Sequence, residues 1–144
     1  MKKACILISL FLLLSIMCFS SGCGLKRFTE SGMKTQGMIT EAQGDLRILK
    51  VSVESYKRNN GAFPSMHNYQ DVLIGASPQI LIDKLYDGFA KNPKTEYGYR
   101  VSSSGKYFVL YSVGPSRKGS ASISNAGIIS VAGEETIWES NGSL

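Results

Sequence analysis

The sequence predicts an α+β fold in which one long N-terminal amphipathic helix packs on a small antiparallel β-sheet. Two periodicities and their order carry the prediction. Ile39, Ala42, Leu46, Leu49, Val53 and Tyr56 recur at alternating steps of three and four, which places all six on one stripe of an α-helix. From Tyr97 onward the period drops to two, as in half-buried strands. A helix first and strands last is the order of a domain whose sheet lays one face on the helix stripe.

The helix should begin near Thr35, with Thr35 or Thr40 as its cap, and stop at Asn59-Asn60-Gly61. Those last residues tolerate the left-handed conformation of a C-cap, and Phe63-Pro64 cannot continue the helix. Arg47, Lys50, Glu54, Lys57 and Arg58 fall off the stripe and should face water. Gly44 inside the helix is a cost that the sequence does not explain. Two short helices are expected next. One follows Asn68 and ends at Gly75, with Asn68 and Asp71 in capping-box spacing; the other starts at Ser77-Pro78 and ends before Asp87-Gly88. Tyr97–Val101 and Lys106–Val113 then form a hairpin about Ser103-Ser104-Gly105. The second of these strands is apolar on both faces and so should be central. Ser116–Asn125 reads as a small-residue loop, and Gly127–Val131 and Thr136–Trp138 as the last strands, joined at Gly133-Glu134.

The chain has 144 residues, but its start has the pattern of a secretory signal. Lys2-Lys3 precede sixteen uncharged residues, Ala4 to Phe19. The segment ends Phe19-Ser20-Ser21-Gly22-Cys23, small residues before a cysteine, which resembles the lipobox of bacterial lipoproteins; there the cysteine is lipidated and becomes the N-terminus. Ser20 stands where that pattern usually has a branched aliphatic residue. An ordinary cleaved signal and an uncleaved anchor are the other readings. The anchor is the weaker of these, since crossing a bilayer takes roughly 20 apolar residues. Cys5 and Cys18 lie inside the signal and no cysteine follows Cys23, so the exported domain has no disulfide and Cys23 suits lipid attachment better than nucleophilic chemistry. The expected organisation is a signal peptide over 1–22, a lipidated cysteine and flexible tether over 23–37, and a globular domain over 38–144.

Chemistry-bearing patterns are sparse. Past Cys23 there are 14 Lys and Arg against 11 acids, a net of +3 without a basic cluster, which gives nucleic-acid binding little support. His67 is the only histidine and has no cysteine partner, so a His/Cys zinc site is excluded by count. No nucleophile elbow or phosphate loop is present, and Glu134-Glu135 read as a solvated turn. No catalytic residue, cofactor or metal is assigned.

Several short segments together resemble a known family. Asp45-Leu46, Ser55-Tyr56-Lys57, Asn60-Gly61-Ala62-Phe63-Pro64, Asp87-Gly88-Phe89 before Pro93, Tyr97-Gly98-Tyr99 and Tyr111-Ser112-Val113-Gly114-Pro115 look like the globular domain of the type II secretion major pseudopilin, a type IV pilin-like fold. The match runs over about residues 39–115, and Ile137–Gly142 is also similar. The resemblance implies a long helix on a small antiparallel sheet. Two features depart from it. Pseudopilins begin with a peptidase site and a polymerising helix, whereas here the apolar run starts directly after Lys3 and a lipobox-like site follows. The family's loop after Gly-Pro carries acidic calcium ligands, but this chain has Ser116, Arg117 and Lys118 there and no acid from Lys106 to Gly133, so that site is inferred lost.

The expected function is a membrane-anchored bacterial lipoprotein with a non-catalytic structural or interaction domain. The alternative is an accessory component of a type II secretion or type IV pilus-like assembly; an exported enzyme, which would need a polar pocket around His67, comes third. The expected partners are membrane lipid through Cys23 and envelope or secretion-system proteins, with neither nucleic acid nor a small-molecule substrate. Gly24 after the cysteine, in place of an aspartate, points to the outer membrane of a diderm.

Overall fold

The computed structural model describes residues 22–143, with side-chain surroundings from residue 32. Residues 1–21, and with them the expected signal, lie outside the described residues. The chain divides into two units, Met1–Gln36 and Gly37–Leu144; the fold described below is that of the second.

Helix α1 spans Gly22–Asn60. It starts earlier than expected, so residues 23–37, expected as a flexible tether, have helical backbone, and Thr35 and Thr40 lie inside the helix rather than at its cap. The segment contains no proline, and its glycines weaken a helix by roughly 1 kcal/mol each without breaking it. The other end is as expected. Gly61 takes φ +79° and donates its N–H to Lys57 O at 2.7 Å, while Asn60 Nδ2 donates to Tyr56 O. The stripe is buried at Ala42, Leu46, Leu49 and Val53, with Ile39 and Tyr56 half-buried at its ends.

Helix α2, Tyr69–Ile74, packs Tyr69 and Leu73 into the same core. Asn68 makes no side-chain cap bond, and Asp71 instead pairs with Lys84 at 2.8 Å, so the expected capping box is absent. The helix expected from Ser77-Pro78 does not form. Ile80 and Leu81 both donate their N–H to Leu73 O, which ties the segment to the end of α2 and takes the Leu81 N–H that would close a first helical turn onto Ser77 O.

Strands β1 (Gly98–Val101), β2 (Phe108–Ser112) and β5 (Ile137–Ser140) make an antiparallel sheet in the order β1-β2-β5, so β2 is central, as its two apolar faces predict. Strands β3 (Ser120–Ile123) and β4 (Ile129–Ala132) form a separate antiparallel pair. The expected run of sequential strands is therefore interrupted: β4 and β5 are neighbours in sequence but belong to different sheets. The segment 116–125, expected as a loop, contains β3. Its Ser-Ala-Ser-Ile sequence alternates, yet only Ala121 is buried, which is too little apolar surface to signal a strand. Phe108 and Leu110 join the helix stripe, Tyr99 and Phe89 in the main core, whereas Val109 meets Ala121 and Ile129 in a smaller cluster on the other face of β2. The molecule is thus α+β, with one long helix and small antiparallel sheets.

Candidate functional site

A buried group of polar contacts gathers around Asp87. Asp87 lies just past Tyr86, which bridges to Glu96, and its N–H donates to Thr95 O at 2.9 Å. Only 2% exposed, its carboxylate takes three bonds: Oδ1 accepts from Ser112 Oγ at 2.8 Å and from Phe89 N–H at 3.1 Å, and Oδ2 accepts from Val113 N–H at 2.8 Å. Ser112 Oγ in turn accepts from Gly114 N–H at 3.1 Å. A buried carboxylate without a cation is tolerable only when its lone pairs are used in this way. The effect is to pin the 87–95 loop to the end of β2. Gly114 completes the junction: at φ +67°, a Cβ there would lie 2.0 Å from Glu135 O, so only glycine allows the turn at 133–136 to approach.

A second polar chain crosses the core. Tyr97 Oη donates to Asp45 Oδ2 at 3.0 Å, Tyr69 Oη donates to Tyr97 O at 3.0 Å, and Gln70 Nε2 donates to Tyr69 Oη and to Leu85 O. Gln70 Oε1 accepts from Leu85 N–H at 2.7 Å. Burial pushes the Tyr69, Tyr97 and Tyr99 hydroxyls well above the usual tyrosine range, and for Tyr97 the Asp45 carboxylate adds to the shift. All three phenols are therefore neutral near neutral pH, and Tyr69 and Tyr97 act as donors. The Tyr99 hydroxyl is buried and has no protein partner among the described residues. On the surface of the same region Lys84 bridges Asp71 and Glu96 at 2.8 Å each, and these bonds, Asp71 first, hold its ammonium above the usual lysine range.

The residues singled out in the sequence stay apart. Cys23 has helical backbone, and its side chain lies outside the described surroundings. His67 is exposed in a turn. Arg117 and Lys118 are exposed on the loop after Gly114, while Glu134 and Glu135 are exposed in the turn before β5; only the backbone of Glu135 touches the Gly114 junction. Among the described residues no three His, Cys, Asp or Glu side chains gather. Among the same residues no helix is long and apolar enough to cross a membrane.

Sequence reasoning missed the Asp87–Ser112 contact, although a signal for it exists. Ser112 shares the inward register of β2 with Phe108 and Leu110, and a hydroxyl on a buried register needs a buried partner. An Asp-Gly pair elsewhere in the chain is a natural acceptor at a turn. Gln70 is harder to find, because nothing in Tyr-Gln-Asp marks the amide as inward-facing. No protein-family model, no curated protein and no solved structure matches the chain.

Proposed function

We propose that the chain is a bacterial lipoprotein anchored through Cys23, whose helix-and-sheet domain is a structural or interaction module without catalytic chemistry of its own. The observation that supports the module is the use made of its buried polar groups. Both oxygens of Asp87 are engaged by Ser112, Val113 and Phe89, and both ends of the Gln70 amide by Tyr69 and Leu85, so these groups hold segments of the chain together. The anchor rests on sequence: Lys2-Lys3, the uncharged run to Phe19 and the small residues before Cys23. Gly24 after the cysteine favours the outer membrane if the organism is a diderm.

Mass spectrometry of membrane-extracted protein tests the anchor. The N-terminal peptide should begin at Cys23 and carry acyl chains; an unmodified cysteine, or a soluble chain that starts elsewhere, would overturn the lipoprotein reading.

A second reading, an accessory component of a pseudopilus- or pilus-like assembly, rests on the sequence segments that resemble the pseudopilin domain, some of which meet in the fold. Asp45 meets Tyr97, and Asp87-Gly88-Phe89 meets Ser112-Val113, each through hydrogen bonds. In this reading the lipid takes the place of the polymerising helix.

A further inference from the structure

Helix α1 has a second regular stripe on the side away from the core. Gly37, Glu41, Gly44, Ile48, Val51, Ser55 and Arg58 follow one another at steps of four and three, and at 3.6 residues per turn they lie nearly opposite Leu46 and Leu49. All are exposed except Ser55, which is half-buried. Ile48 and Val51 are 51% and 61% exposed. Glu41 and Arg58 are in no ion pair among the described residues. Nothing lies within 4 Å of where a Cβ on Gly44 would stand, so packing inside the chain gives no reason for a glycine in mid-helix.

From this pattern we infer that the stripe pairs with the same stripe of a second copy, the two helices running antiparallel about a twofold axis between Leu49 and Lys50. The stripe is self-complementary only in that arrangement. Ile48 would face Val51 of the partner subunit, Gly44 would face Ser55 of the partner subunit, and Glu41 would face Arg58 of the partner subunit; the twofold repeats each pair. The apolar pair is central, the small pair on either side lets the backbones approach, and opposite charges close the ends. A parallel pairing would set Glu41 against its own copy and Arg58 against its own, and like charges in register repel. Gly44 then has a role that the single chain does not supply. Ile82, 81% exposed beside the apolar hollow that Ile48 lines with Ile80 and Leu85, widens the apolar surface at the edge of the stripe.

The inference is independent of the anchor and is tested by sedimentation velocity on the full chain in detergent over a concentration series. A dimer that dissociates on dilution is expected. Glu41→Arg and Arg58→Glu, each alone, place like charges at both ends and should weaken the dimer about tenfold; the double variant Glu41→Arg/Arg58→Glu should restore it. Gly44→Gln should weaken the dimer while raising the melting temperature, because glutamine favours the helix and meets nothing in the single chain. A chain that stays monomeric, single charge variants that dimerise like the parent, or a double variant that is no tighter than the singles would each overturn the antiparallel pairing. Circular dichroism at each step confirms that the exposed substitutions leave the helix intact.

Discussion

The two faces of β2 do different work. Its inner face, Phe108, Leu110 and Ser112, meets the α1 stripe, four buried aromatic residues and the Asp87 carboxylate; its outer face, Val109 and Tyr111, is covered by a short hairpin that brings Ala121, Ile129 and the half-buried Ile123. One strand thus divides a large, polar-braced core from a thin cover. Local opening free energies follow buried apolar contact, so the β3–β4 cover should open before the α1 side.

The largest effect that would sharpen this contrast is alkaline. Tyr69, Tyr97 and Tyr99 all lie on the inner side, and their folded pKa values are raised above the unfolded value of about 10. The folded state then holds protons that the unfolded chain releases, so stability is fully present below about pH 9 and falls as pH rises past 10. Thermal melts followed with phenolate absorbance should show these three tyrosines ionising only as the chain unfolds. If all seven tyrosines titrated together near pH 10 in a chain that stays folded, the inner core would be wetter than its burial indicates.

The second test compares single side chains. Leu49, fully buried on the stripe, should cost about 2–5 kcal/mol when truncated to alanine, through lost transfer energy and a residual cavity. The matched truncation in the cover, Ile129→Ala, should fall at the low end of that range, about 2 kcal/mol, because the thin cover can close over the space. Denaturant midpoints decide it, and comparable losses for the two would remove the distinction between core and cover.

The inner side was also the legible side. The helix stripe, its glycine stop, the central two-faced strand and the hairpin at Gly105 follow from periodicity and turn chemistry, and the structure has all four. The cover was legible only in β4, which the run Gly127–Val131 anticipates; β3 has one buried side chain, and β5, legible as a strand, is assigned to its sheet by pairing with β2 across long sequence distance, which periodicity does not encode. The Asp87 clamp was half legible: the inward register of Ser112 calls for a buried partner, but Ser112 and Val113 are 25 and 26 residues from Asp87, and only folding shows that they meet. The start of α1 failed differently, since glycines read as a tether are tolerated within a helix.

The smallest expected effect concerns the boundary between the helix and the sheet edge. Lys50, expected to face water, is instead half-buried, with Nζ 3.1 Å from Glu139 Oε2 on β5, while Arg47 reaches Glu139 Oε1 at 3.7 Å. Both members of the closer pair keep about a third of their side-chain surface, 31% and 28%, so water screens the attraction and the ordering of a long lysine offsets part of it. A double-mutant cycle of Lys50→Ala and Glu139→Ala should therefore give a coupling of about 0.2–1 kcal/mol, shrinking as salt is raised. Arg47, 74% exposed and more distant, should couple less. Arg47 remains able to bind Glu139 when Lys50 is removed, which masks part of the closer pair; repeating the cycle in an Arg47→Ala background should enlarge the Lys50 coupling if the two cations share the carboxylate. A coupling that is large and indifferent to salt would mean that the pair is desolvated and that the core extends under β5. A coupling of zero in both backgrounds would mean that β5 is held to the domain by its ladder to β2 alone.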